Sequence, residues 1–193
     1  MPNLSFYIVD VFAEEKHAGN QLAVVRDAQR LSASEMQAIA REMHFSETSF
    51  ILPSKKRQGG YDVRIFTPEE ELPFAGHPTL GTAYVILQEI VKKRTEKIIL
   101  NLKVGQIPVT ITYANGKPDV LWMRQKPPTF GKIYDAKMIA DTLNLDAADI
   151  DTAFPIQEVS TGIAAMIVPL KTLSAVKRAR TDRDKYFELV KNT

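Results

Sequence analysis

Two places in the chain combine residue types that could move protons or hold an anion. The first is Glu47, in the run Phe45-Ser46-Glu47-Thr48-Ser49-Phe50, where a helical pattern gives way to a strand pattern. A carboxylate set among apolar side chains has its charged form disfavoured, which lifts its pKa toward useful acid–base values. The second is the stretch from Arg64 to Gly81, with Gly76-His77-Pro78-Thr79 at the start of an apolar helix. Glycine lets backbone or ligand approach closely, and proline fits a first helical turn. The free N–H groups of Thr79, Leu80 and Gly81 are then expected to face outward and to favour a carboxylate or phosphate. Plainer readings stand beside both. Glu47 reads more simply as a surface acid at a strand start, the second stretch as an ordinary capped helix, and His77 as a cap or a satisfied polar residue.

The residues available narrow the chemistry. There is no cysteine, which excludes disulfides, thiolate metal sites, thiol nucleophiles and any mechanism built on two opposed cysteine bases. The three histidines do not stand at metal-ligand spacing, so no metal site is expected. Lys and Arg number 25 against 23 acids and are scattered among them, so no basic stripe suggests nucleic acid. Lys55-Lys56-Arg57 runs straight into Gln58-Gly59-Gly60 and reads as a solvated hairpin tip. No apolar run is long enough to cross a bilayer, and Asp10 interrupts Leu4–Phe12 with no basic segment before it. A cytoplasmic protein is expected.

The elements that would position these residues follow from periodicity. Leu4–Phe12 and Leu22–Val25 read as strands joined by a polar turn through His17, Gly19 and Asn20. Ser32 with Glu35 three positions on is a capping box, followed by Met36, Ile39, Ala40 and Met43 at helical spacing to about His44. Thr48–Leu52 and the alternation Tyr61, Val63, Ile65 are strands. The helix from His77-Pro78-Thr79 to Ile90 is apolar over most of its circumference, so it is expected to be wrapped by strands, with Leu80, Ala83, Tyr84 and Leu87 buried. Lys97–Leu102, Ile107–Tyr113 and Val120–Met123 are strands, the last two joined by Asn115-Gly116. Lys126-Pro127-Pro128 is the expected boundary, giving regions 1–126 and 127–193. Beyond it helices are expected at Ala136–Leu143 and Ala147–Asp151, strands at Ile156–Ser160 and Ala164–Val168, then a polar helical tail. The fold class is α+β (mixed α/β), with a mixed sheet.

Several motifs fall in an order that resembles a known family. They are Val11-Phe12, Gly19-Asn20, Leu22-Ala23-Val24-Val25, Ser46-Glu47-Thr48, Phe50, the Arg64–Gly81 stretch, Val159-Ser160-Thr161-Gly162 and Val168-Pro169-Leu170. Together they resemble the phenazine-biosynthesis PhzF-type isomerases over nearly the whole chain, with Gln21 where the family usually has proline. The resemblance implies a diaminopimelate-epimerase-like lobe, a helix enclosed by a curved mixed sheet, facing a second similar lobe. It further implies a cofactor-independent isomerase that shuttles a proton on a small cyclic or unsaturated carboxylate. Glu47 would be the acid–base residue, with Asn20, Gly76, His77, Pro78 and Thr79 binding substrate.

A second departure concerns the C-terminal lobe, where the family carries an acidic-Pro-x-Thr-Gly-Ser-like motif that does not follow Gly162 here. The second lobe is therefore expected to be incomplete. Two alternatives stay open on that ground: an inactive remnant acting as a binding or structural protein, and one half of a split enzyme. Strands Ile156–Ser160 and Ala164–Val168 with unpaired edges would recruit another chain, so a homodimer through residues 127–193 is expected.

Overall fold

The computed structural model describes residues 4–15, 17–125 and 127–191. It divides into two compact units, Met1–Gln125 and Lys126–Thr193. Lys126, part of the expected boundary motif, lies outside the described residues.

The first unit is built from β1 (Phe6–Val11), β2 (Asn20–Val25), α1 (Ala33–Met43), β3 (Glu47–Ile51), β4 (Tyr61–Phe66), the short β5 (Glu71–Leu72), α2 (Gly76–Val85), β6 (Lys97–Leu102), β7 (Gly105–Ala114) and β8 (Lys117–Met123). The strands form one sheet in the order β1-β2-β3-β4-β6-β7-β8, with β5 paired to β4. Two neighbouring pairs, β2 with β3 and β4 with β6, are parallel, and the others are antiparallel. Parallel neighbours need a crossover, and α1 and α2 supply the two. The capping box opens α1 as expected: Glu35 N–H donates to Ser32 Oγ at 3.2 Å and Ser32 N–H to Glu35 Oε2 at 2.7 Å.

Because side chains alternate across a strand, each face of this sheet carries its own core. On one face Leu22, Val24, Ile51, Val63, Ile65, Leu100, Val109 and Ile111 pack around α2 and the π-helical turn Ile86–Val91 that continues it. On the other face Val25, Phe50 and Phe66 pack with Met36 and Ala40 of α1. α2 thus lies against a curled sheet, with Ala83 and Ile86 fully buried.

Three expectations for this helix need correction. It begins at Gly76, with the extended Ala75 as its N-cap. Thr79 N–H consequently makes the first intrahelical bond, to Ala75 O, so the outward N–H groups belong to Gly76 and His77 rather than to Thr79, Leu80 and Gly81. Tyr84 is 42% exposed and Leu80 only partly buried, because the sheet is open, ending at β1 and β8, and leaves one stripe of the helix uncovered.

The second unit holds β9 (Thr129–Ile133), α3 (Ala136–Thr142), β10 (Gln157–Ser160), β11 (Ala164–Ile167), α4 (Leu173–Arg178) and α5 (Arg183–Val190). Its strands form an antiparallel sheet in the order β11-β10-β9. β9 is absent from the expectation because the preceding prolines mask its start and all five of its residues are exposed. Its presence corrects the expected free edges, since β10 is paired on both sides. Ala147–Asp149 is a single 3-10 turn and not a helix to Asp151, and the tail is two short helices. Tyr134, Ile139, Ala140, Ile150 and Ile156 form the core of this unit.

Candidate active site

Glu47 opens β3 on the α2 face of the sheet, in register with Leu22 of β2 and on the same side as Ser49 and Ile51. Phe50 points to the opposite face, into the α1 core, so it does not supply the apolar contact expected for the carboxylate. The dryness comes from the enclosed face itself. At the same end of the sheet α2 begins, and its second residue, His77, turns toward β3. The His77 Nε2 and Glu47 Oε2 atoms stand 3.2 Å apart, with side chains only 10% and 17% exposed. The contact is not aligned as a hydrogen bond, and neither atom has another partner among the described residues.

Distance alone would make this an ion pair, but the burial of both groups argues otherwise. Burial raises the Glu47 carboxyl above its ordinary value and lowers the His77 imidazole below its own. A dominant attraction between carboxylate and imidazolium would push each the other way. Burial holds each member of the pair toward its neutral form.

Asn20 reaches the other side of the ring, its Nδ2 lying 3.3 Å from His77 Nδ1. Its position depends on Gly19, whose φ of +86° and close approach to the Val11 carbonyl oxygen leave no room for a Cβ. Asn20 is the first residue of β2 rather than part of the turn before it. Gly76 is different. A Cβ there would meet nothing nearer than Met123 Cε at 3.9 Å, so the space above this glycine is open. No side chain caps the helix, which leaves the N–H groups of Gly76 and His77 facing that space.

Pro78 and Thr79 are buried, and Thr79 Oγ1 donates to Ala75 O at 2.7 Å. Both therefore shape the mouth from behind. Of the expected site residues, Asn20, Glu47, Gly76 and His77 are brought together at its surface. A depression of about 300 Å³ adjoins them, lined by Asp10, His17, Gly19, Asn20, Gln21, His44, Phe45 and Ser46. It shares Asn20 with the site but includes neither Glu47 nor His77. Among the described residues no group of three or more His, Asp or Glu could hold a metal ion.

Arg64 Nε and Nη2 donate to the two Glu71 carboxylate oxygens at 2.8 and 2.6 Å, and Lys103 Nζ stands 2.7 Å from Glu71. This clamp holds β5 onto β4 just before the chain enters the mouth, and Gln37 Nε2 of α1 bonds Thr67 O in the same loop. An arginine and a glutamate seven residues apart on either side of Thr67-Pro68 are a hairpin-closing signal that could have been read.

The profile of the family described as "Phenazine biosynthesis-like protein" matches residues 9–192. The chain belongs to that family. It is 34% identical over 177 residues to the trans-2,3-dihydro-3-hydroxyanthranilate isomerase of Pseudomonas aeruginosa, covering 92% of this chain and 61% of that protein. An uncharacterized isomerase of Bacillus subtilis is 31% identical, with 94% and 61% covered. Among solved structures, a predicted epimerase from Pseudomonas aeruginosa superposes with a TM-score of 0.82 at 34% identity, over 95% of this chain and 65% of that one. A hydroxyproline epimerase from Agrobacterium vitis, 11% identical with a TM-score of 0.58 over 86% of this chain and 51% of that one, shares the fold alone. The curled mixed sheet around α2 is thus the epimerase-like architecture. The chain spans about six-tenths of the length of the curated relatives it matches.

Proposed function

We propose that this family member is a cofactor-independent isomerase in which Glu47 carries the proton. The observation that supports it best is the 3.2 Å approach of Glu47 to His77 at the uncapped mouth of α2, both side chains pushed toward neutrality by burial. A substrate carboxylate would sit on the N–H groups of Gly76 and His77, where the helix dipole favours negative charge. Ionised Glu47 then takes a proton from an adjacent carbon, and the C–H electron pair shifts along the conjugated system. The protonated carboxyl returns the proton at the far end, so the product is an isomer and no redox partner is needed. Single-residue proton transfer of this kind is worth about 10²–10⁴-fold in rate.

The test uses trans-2,3-dihydro-3-hydroxyanthranilate, the compound in the name of the Pseudomonas aeruginosa relative, in deuterated water. The whole chain is expected to convert it with deuterium incorporated at carbon, and Glu47→Gln to lower the rate about 10²-fold or more. Gly76→Ala is expected to fold normally and to weaken substrate binding, since the added Cβ meets open space in the protein but occupies the ligand's. Absence of both turnover and exchange in the wild-type chain, or full activity in Glu47→Gln, would overturn the reading.

For assembly we propose a homodimer. The support is one face of the second unit's sheet, where Ile133, Gln157 and Ile167 lie in register across three strands beside Phe130 and Val159. Phe130, Ile133 and Ile167 are 66%, 63% and 52% exposed there. Exposed apolar patches of this kind mark interfaces. Light scattering should give twice the chain mass, falling to one for Phe130→Asp with Ile167→Asp. A wild-type monomer at high concentration would contradict it.

A further inference from the structure

The ring of His77 has two nitrogens with different neighbours, and that asymmetry decides where its proton sits. Nδ1 faces the Asn20 amide nitrogen at 3.3 Å, and Nε2 faces Glu47 Oε2 at 3.2 Å. An amide nitrogen is only a donor, so the ring nitrogen it faces must offer a lone pair. A neutral imidazole with its lone pair on Nδ1 carries its hydrogen on Nε2.

We propose that Asn20 is a positioning residue which fixes His77 as the Nε2–H tautomer, aimed at Glu47, and keeps the ring from taking up a second proton. The second half follows from the first. The ring can become imidazolium only by protonation at Nδ1, and there the new N–H would confront the amide N–H of Asn20. The nearest charged group, Glu47, favours the imidazolium when ionised, and Asn20 on the other nitrogen opposes it. Glu47 on β3 is the carboxyl within ion-pair distance, and Asp10 and His17 line the depression beyond Asn20, with the His17 N–H bound to Asp10. Burial of the imidazole acts in the same direction as Asn20, against the charged form.

His77 then keeps its one hydrogen on the nitrogen nearest Glu47, 3.2 Å from Oε2, and does not take up the proton that Glu47 carries. The catalytic consequence rests on the isomerase reading of the site, whereas the tautomer and its control by Asn20 do not. Replacing Asn20 with Asp exchanges the donor for an acceptor. Nδ1 should then carry hydrogen, and the ring, between two carboxyls, should become imidazolium.

The measurement is a long-range ¹H–¹⁵N correlation spectrum of the full chain with ¹⁵N-labelled histidine, titrated through the pH range 5–9 that brackets the histidine transition. The chain has three histidines, and the pattern missing from His77→Gln assigns the ring in question. The wild-type protein is expected to show His77 as Nε2–H, neutral through the neutral range. Asn20→Asp is expected to raise its titration midpoint by about 1–3 pH units, the shift an adjacent opposite charge produces. A wild-type Nδ1–H tautomer would overturn the proposal without any variant, and so would an Asn20→Asp ring that titrates where the wild type does. Neither readout uses turnover, so an inactive chain would remove the isomerase reading and leave this result standing.

Discussion

In the first unit the sheet carries apolar side chains on both faces, one covered by α2 and the other covered by α1 over β2 to β4, with Phe6, Ile8, Val120 and Trp122 exposed toward its edges. In the second unit the packed side chains, Met166 and Ile156 among them, lie to one side, while Phe130, Ile133 and Ile167 face water on the other. The difference bears on where a dry carboxyl can be held. A strand buried on both faces has no place for a carboxyl except at its end, and Glu47 sits at the end of β3 where α2 opens. There the enclosing apolar face strips water from it without denying it a partner. The one-sided sheet of the second unit offers no such dry end. Its partly buried acid, Glu158, lies within a strand and over Gly131.

The largest effect that could break this contrast is a matched pair of phenylalanine truncations. Phe50 is fully buried and meets Phe66 edge-on, with ring centroids 5.5 Å apart. Phe50→Ala should cost about 3–5 kcal/mol by urea unfolding. Phe130→Ala should stay within about 0.5 kcal/mol in dilute protein, as surface changes do. Equal costs would mean that the outer face of the second sheet is covered as thoroughly as the first.

A smaller effect is expected at the clamp that leads into the mouth. Glu71→Gln replaces one of the two acceptors of the half-buried Arg64 with a donor and removes the carboxylate charge, and should cost about 1.5–3 kcal/mol at neutral pH. Arg64 first, and Lys103 after it, hold the Glu71 carboxyl below its ordinary value of 4.5. A carboxyl lowered by folding adds stability above its unfolded pKa, and that stability is lost as pH falls through the folded value. The wild type and Glu71→Gln should therefore converge in acid. A gap in denaturation midpoint that persists unchanged well below pH 4.5 would show that the clamp acts through shape and not charge.

Much of this arrangement was legible in the residues. The capping box at Ser32 and Glu35 places α1, the alternation from Tyr61 to Ile65 places β4, and the apolar circumference after Pro78 announces an enclosed helix. What could not be read depends on geometry at element ends. Pattern alone does not say that Ala75 is extended, so the outward N–H groups were placed three residues too late. It cannot show that the sheet stays open along Tyr84, because an uncovered stripe is a property of strand order. Nor does Glu47 among phenylalanines reveal which face each side chain takes, since that depends on where the strand begins. The fully exposed β9 carries too weak an alternation to stand out at all.

The smallest effect sharpens the contrast from the side of the site itself. A carboxyl whose pKa is raised by folding stabilises the fold only while it is protonated, and that contribution disappears as pH rises through the folded value. Glu47 is such a group, raised by burial, so at neutral pH its ionised form weighs against the first unit. Glu47→Gln keeps the shape and removes the charge. It should stabilise the protein at pH 7 by an amount on the order of 0.5 kcal/mol, near the limit of ordinary single-site changes. Near and below pH 4.5, the ordinary value for this carboxyl, the advantage should fade, because wild-type Glu47 is then neutral as well. Thermal unfolding at pH 7 and pH 4 would read the difference. His77 responds in the opposite sense: its lowered pKa favours the fold above its ordinary value of 6.5 and is lost as pH falls. The Glu47→Gln comparison at two pH values cancels that shared histidine contribution to the extent that the Gln side chain leaves the imidazole equally buried. A stabilised and inactive Glu47→Gln would mean that the first unit keeps a carboxyl at its dry end against its own stability, which only a use for the proton explains.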